Sequence, residues 1–228
     1  MNAEKCLQIL REIKDVAFAT VDENGCPQIR IIDIMIAEGE KVYFCTARGK
    51  DFFQQLMKNG RIAVTGMNQA YQMIRLNGKA RRLDEQKMWI DRIFEENPSM
   101  NDVYPGESRY VLEAFCVDNG EVEFFDLGQT PIERVSFRLG DRDAEKNAGK
   151  ENKETGTAAE TDGTDETKNC LGKGFEISDA CIQCGKCERI CPQQCIQNFT
   201  IQQNHCLHCG LCMEECPVNA VVRREEAR

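Results

Sequence analysis

A chain of 228 residues, 41% of them hydrophobic and 29% charged, carries apolar material for one large or two small globular domains. Its formal charge of −9 excludes nucleic acid as the main partner, because phosphate binding needs a basic surface. No apolar run approaches the ~18–20 residues that span a bilayer, and Met1-Asn2-Ala3-Glu4-Lys5 turns charged at once, so no membrane association and a cytoplasmic location are expected.

The chain opens with an amphipathic helix, Cys6, Leu7, Leu10 and Ile13 recurring at helical spacing between charges. Strand-like runs follow at Val16–Val21, Gln28–Ile36 and Val42–Thr46, separated by turns at Asp22-Glu23-Asn24-Gly25 and Glu38-Gly39-Glu40. Lys50–Lys58 reads as a helix with Phe52, Phe53, Leu56 and Met57 on its buried side, closed by Asn59-Gly60. Arg61–Gly66 and Tyr71–Leu83 are strands, and Asp84 caps a helix over Glu85–Glu96 that stops at Pro98. Tyr110–Val117 and Glu121–Leu127 are expected to form a hairpin around Asp118-Asn119-Gly120. Residues 1–139 are therefore mainly β, a barrel with flanking helices. The spacing makes Met73 and Trp89 core residues, and Tyr43 and Tyr71 structural ahead of proton donors.

Three stretches, in order, resemble a known family. They are Val16-Ala17-Phe18-Ala19-Thr20-Val21 followed by Gly25-x-Pro27-x-x-Arg30, then Val42–Lys50, then Leu56-x-x-Asn59-x-Arg61-Ile62-Ala63-Val64. Together they are similar to the pyridoxamine 5′-phosphate oxidase-like FMN-binding split barrel. The resemblance implies FMN lying across a homodimer interface. Arg30, Ile31 and Ile32 would run beside its ring, and Thr46, Ala47, Arg48 and Lys50 would meet its phosphate. Met67 and Asn68 would contact it from the other subunit. A strand end leading into a helix, with two cations added, suits a phosphate. Singly, Arg30 is an ordinary strand charge and Arg48/Lys50 a cationic turn; the family order raises them to a site. The chain departs from vitamin B6 oxidases after Leu127, where their Arg- and Trp-containing C-terminal segment is absent. The cofactor carries over and the substrate does not. Heme or a deazaflavin are alternatives, and the lack of histidine in residues 1–139 counts against heme.

Residues 140–170 change character. From Gly140 to Asn169 there is no Val, Ile, Leu, Met or aromatic residue, and nine acids face five bases. Such composition cannot offset the entropy of ordering, so a flexible acidic linker is expected.

Residues 171–228 hold the most specific pattern. Cys181-Ile-Gln-Cys184-Gly-Lys-Cys187-Glu-Arg-Ile-Cys191-Pro192 repeats 25 residues later as Cys206-Leu-His-Cys209-Gly-Leu-Cys212-Met-Glu-Glu-Cys216-Pro217. This spacing resembles that of bacterial two-cluster ferredoxins, in which the fourth cysteine of each run serves the other cluster. The resemblance implies a small α+β domain with two 4Fe–4S clusters, one on Cys181, Cys184, Cys187 and Cys216, the other on Cys206, Cys209, Cys212 and Cys191. Zinc uses four ligands in two pairs and fits eight cysteines in two identical runs poorly. Disulfides are disfavoured in a reducing compartment. Cys195 falls on Ala220 in the repeat and reads as a small core residue; Cys170 has no partner in sequence. The chain's two histidines, His205 and His208, flank Cys206, which removes imidazole-based nucleophilic catalysis from everything before them.

A flavin joined to clusters converts between two-electron and one-electron traffic. The expectation is an oxidoreductase of an anaerobe, exchanging electrons with a ferredoxin-like protein or NAD(P)H, its iron–sulfur domain swinging on the linker. No Gly-x-Gly-x-x-Gly is present, so NADH would meet the flavin directly. The alternative is an electron carrier or flavin-binding sensor without turnover of its own.

Overall fold

The N-terminal helix forms as α1, Ala3–Ile13, because Asn2 caps it: the Asn2 side chain accepts the backbone N–H of Lys5 at 2.8 Å. Cys6, Leu7 and Leu10 on its inner side are fully buried, each leucine contributing about 1.5–3 kcal/mol of apolar burial. A computed structural model describes residues 1–140 and 174–224; the expected linker and Cys170 lie outside the described residues.

The strands are β1 Asp15–Val21, β2 Pro27–Asp33, β3 Ile36–Glu38, β4 Lys41–Ala47, β5 Arg61–Met67, β6 Gln72–Arg82, β7 Leu112–Asp126 and β8 Glu133–Leu139. All pair antiparallel in the order β2-β1-β5-β6-β7-β4-β3, with β8 also on β7. The helices are α2 Asp51–Asn59, α3 Gln86–Glu96 and α4 Met100–Val103. The sheet curls around Phe18, Phe44, Phe115 and Phe124, with α1 and Phe52 of α2 closing the core. Along β4, Val42 and Phe44 face inward while Tyr43 and Cys45 face a second core covered by α3. Burial on both faces is why this strand reads as a continuous apolar run. Tyr43 stacks on Trp89 at 4.7 Å between centroids, and burial pushes its phenol up to about 12. Both are packing residues.

Three expectations need correction. The run Gln28–Ile36 is two strands, broken where the Ile34 and Met35 amides donate to Lys14 and Tyr43 carbonyls. Asp118-Asn119-Gly120 makes no hairpin, since β7 runs through it and pairs with β6 on both sides. The register shifts there because β6 and β7 cross closely: a Cβ on Gly120 would stand 2.2 Å from the Asn77 carbonyl. The glycine serves this approach, and tertiary pairing overrides local turn chemistry. Finally, β8 continues the barrel beyond Leu127, with Val135 and Leu139 inward.

The C-terminal region is built from β9 Phe175–Ile177, α5 Lys186–Ile190, β10 Ile196–Gln197, β11 Thr200–Ile201, α6 Leu211–Glu214 and β12 Val221–Arg223. β9 pairs with β12 and β10 with β11. Among the described residues no helix is long and apolar enough to cross a membrane.

Candidate functional site

The 25-residue repeat is also a conformational repeat. Gln183 and His208, equivalent in sequence, share φ 55°, and Gln194 and Asn219 share φ 52°. In each half the second residue after the first cysteine donates its backbone N–H to that cysteine's sulfur: Gln183 to Cys181 and His208 to Cys206, both at 3.3 Å. Gly185 and Gly210, at φ 67° and 83°, then turn the chain into α5 and α6.

This geometry gathers the eight cysteines into two sets. Cys181, Cys184, Cys187 and Cys216 line one small cavity. Cys191, Cys206, Cys209 and Cys212 line another, with Cys195 beside them. Each takes three cysteines from one half and the fourth from the other. Among the described residues no three His, Cys, Asp or Glu side chains converge on a point as a single ion requires.

The electrostatics of these cavities call for cations. Cys212 is pushed up to about 11 by burial and the neighbouring Cys206 and Cys209. Four thiolates do not share such a space unless metal charge offsets their repulsion. Cys206 is instead drawn down to about 6 chiefly by a hydrogen bond from Cys195, against burial, with help from the His208 amide and the Arg134 charge, and Cys216 is lowered by backbone amides that outweigh its burial. Cys195, buried as expected of a small core residue, also stands 3.5 Å from the Cys191 sulfur. Sequence reasoning gave it no contact with the ligand set; its four-residue spacing from Cys191 was the available signal.

The barrel presents an open cleft of about 1010 Å³ between β2 and α2, with Arg30, Ile31, Ile32, Lys50, Phe52 and Gln55 in its lining. Arg30 is set by its surroundings. Its guanidinium donates to Thr20 Oγ1 and to Gln55 Oε1 (3.0 Å) and lies over the Phe52 ring at 4.6 Å. No carboxylate among the described residues pairs with it, so a half-buried cation faces the cleft uncompensated. Lys50 and Lys58 add charge at the α2 side. Asp22, across from them, is held low by hydrogen bonding, first from the Cys26 amide.

The other residues named from the family resemblance stand away from this lining. Arg48 donates to the Tyr110 carbonyl at 2.8 Å and pairs with buried Glu113 at 3.2 Å. Ala47 packs into the second core. Thr46 is 2% exposed at the end of β4, its hydroxyl without a hydrogen-bond partner. Met67 is exposed on the outer sheet face, and Asn68 organises its own turn by accepting from the Ala70 and Gln72 amides. Phe52 was expected only as a core residue and Thr20 and Gln55 were not singled out, because only the fold brings α2 against β1, where the three aim Arg30.

The chain carries a curled β-barrel with an open cleft, lined by Arg30, Lys50 and Lys58 and by Asp22, Glu23 and Asp51, and a paired cysteine module. Residues 3–104 match the family model for pyridoxamine 5′-phosphate oxidase, and residues 176–197 and 199–222 each match that of the 4Fe-4S binding domain. The chain thus joins a pyridoxamine 5′-phosphate oxidase-like split barrel to a 4Fe–4S binding region, a combination that supports a role in electron transfer. Among solved structures, a NimC/NimA family protein from Clostridium acetobutylicum is similar at 23% identity. The likeness covers 60% of this chain and 92% of that one with a TM-score of 0.52, and it shows the fold. A protein related to general stress protein 26 of B. subtilis (pyridoxinephosphate oxidase family), also from Clostridium acetobutylicum, matches at 19% identity over 59% and 95% of the two chains, with a TM-score of 0.48. No curated protein matches the chain.

Proposed function

We propose that the chain is a flavin and iron–sulfur oxidoreductase, with FMN in the barrel cleft and two 4Fe–4S clusters, one on Cys181, Cys184, Cys187 and Cys216, the other on Cys191, Cys206, Cys209 and Cys212. The observation that carries this reading is the sorting of the cysteines into two cavities, each holding one of these sets. Once bound, these groups supply two-electron exchange at the flavin and one-electron passage at the clusters. Arg30, fixed by Thr20, Gln55 and Phe52, would hold the polar edge of the flavin, and Lys50 would meet its phosphate. The outer face of β2 and β5, with Ile29 at 74%, Ile31 at 62% and Met67 at 53% exposure, supports a homodimer that closes the cleft. The units are 1–139 and 171–228 joined by 140–170, and the outside redox partner is a ferredoxin-like protein or NAD(P)H in an anaerobe's cytoplasm.

Anaerobic purification tests the reading. Flavin bands over a broad cluster shoulder, with about eight iron and about eight acid-labile sulfide per chain, are expected. Colourless protein, or zinc without sulfide, overturns it. Steady-state turnover of a small molecule separates the enzyme from a mere carrier.

A further inference from the structure

The two halves of the cysteine repeat are matched in backbone, hydrogen bonds and ligands, so the places where their side chains differ mark what only one half does. Both of the chain's histidines are such places. Counting back 25 residues, His205 corresponds to Ala180 and His208 to Gln183. The first half, with neither histidine, forms its loop equally well.

Both histidines reach the barrel. His205 Nδ1 lies 2.9 Å from the Ile132 carbonyl, which can only accept, so that nitrogen donates. His208 Nδ1 accepts from the Arg134 guanidinium. Gln193, which lines the cavity of Cys191, Cys206, Cys209 and Cys212, adds a longer contact of 3.5 Å to the Ile132 amide. Arg134 is prepared for this on the barrel side. It is 8% exposed, pairs with Glu123 at 3.3 Å and lies over the Phe125 ring at 4.6 Å. A buried, doubly anchored arginine presenting a guanidinium N–H to one histidine is a fixed receptor, and its net contribution exceeds that of an exposed pair. The barrel contacts described for the module come from the two histidines of the second half and from Gln193 at the end of the first; Cys181, Cys184, Cys187 and Cys216 line the other cavity, where Ile182 is 62% exposed.

We infer that His205 and His208 are docking residues that seat the iron–sulfur module on β8 through Ile132 and Arg134, making the Cys191/Cys206/Cys209/Cys212 site the barrel-side station and the other site the one that meets an outside redox partner. This replaces the expectation of a swinging module. The naming of stations rests on the proposed cluster reading; the dock itself does not.

Hydrogen–deuterium exchange of the full, anaerobically purified chain tests it, with His205→Ala and Arg134→Ala as variants. His205→Ala installs the residue that the first half already carries at the equivalent position. A dock predicts reciprocal effects across the two modules. His205→Ala should speed exchange of the barrel segment 129–136 by roughly fivefold, and Arg134→Ala that of segment 203–209 by a similar factor, the loss of one net hydrogen bond. Exchange in β1 and β5 should stay unchanged in both. If each substitution is felt only in its own segment, the dock is overturned. Should His205→Ala lose iron, Arg134→Ala, which lies wholly on the barrel, still decides the question. A chain purified without iron whose two variants still show the reciprocal effects would sink the cluster reading and leave the dock standing.

Discussion

The barrel and the cysteine module are held together by different means. The barrel encloses two apolar cores, one around Phe18, Phe44 and Phe115, the other around Ile90, Ile93 and Phe94. The module has one small core in which Phe175, Ile196, Ile201 and Val221 share space with Cys195, Cys206 and Cys212, and two of its strands are two residues long. So little burial does not offset chain entropy alone. Ligand bonds must supply the difference, so the module's structure is conditional on its metal and the barrel's is not.

Removing iron gives the largest expected effect. Chelation under reducing conditions should abolish the module's cooperative melting transition in calorimetry and leave the barrel's in place. Loss of both transitions together would erase the distinction. Next, Phe44→Ala, which empties a site shared by Phe18, Phe52 and Phe115, should cost the barrel about 3–5 kcal/mol in denaturant unfolding. Iron content should not change. Third, Arg30→Ala should weaken flavin binding about 10–100-fold in a fluorescence titration, the worth of a charged hydrogen bond, while the barrel's melting temperature holds. A parallel fall in melting temperature would mean that the cleft is structural.

The smallest effect concerns acid. Glu113 is buried at 5% exposure between Arg48 and Arg82. Burial works to raise its pKa, but hydrogen bonds from Arg82 and Arg48 outweigh it and the net shift is downward. A carboxylate with a depressed folded pKa contributes stability above its unfolded value, lost as pH falls through the folded one. Glu113→Gln should therefore flatten the acid limb of the barrel's stability profile below about pH 4.3 and change the module's not at all. An unchanged limb would place the barrel's acid sensitivity in other carboxylates.

Much of this was legible from residues alone. The spacing of Cys6, Leu7 and Leu10 implied α1, and the resemblance to two-cluster ferredoxins supplied the proposed division of the eight cysteines, though not the place of Cys195 beside them. What escaped depends on contacts between distant segments. Asp118-Asn119-Gly120 carries turn chemistry, and only the approach of Gly78 on β6 turns it into a strand crossing. Arg48 looked free for an anion because its partner Glu113 lies 65 residues on. In β8 the alternation of Val135, Phe137 and Leu139 was present but followed a proline and abutted the acidic stretch. The histidines were visible as an asymmetry of the repeat; what they touch was not.

β8 is the last barrel strand in chain order, and it completes the sheet by pairing with the second half of β7. It also carries Ile132 and Arg134 at or beside its start. The surface carrying Ile132 and Arg134 is therefore synthesised ahead of every cysteine from Cys181 onward, an order that suits domains folding as units from the N-terminal side. Nascent cysteine loops emerge next to a completed neighbour, and the order of biogenesis is written into the order of strands.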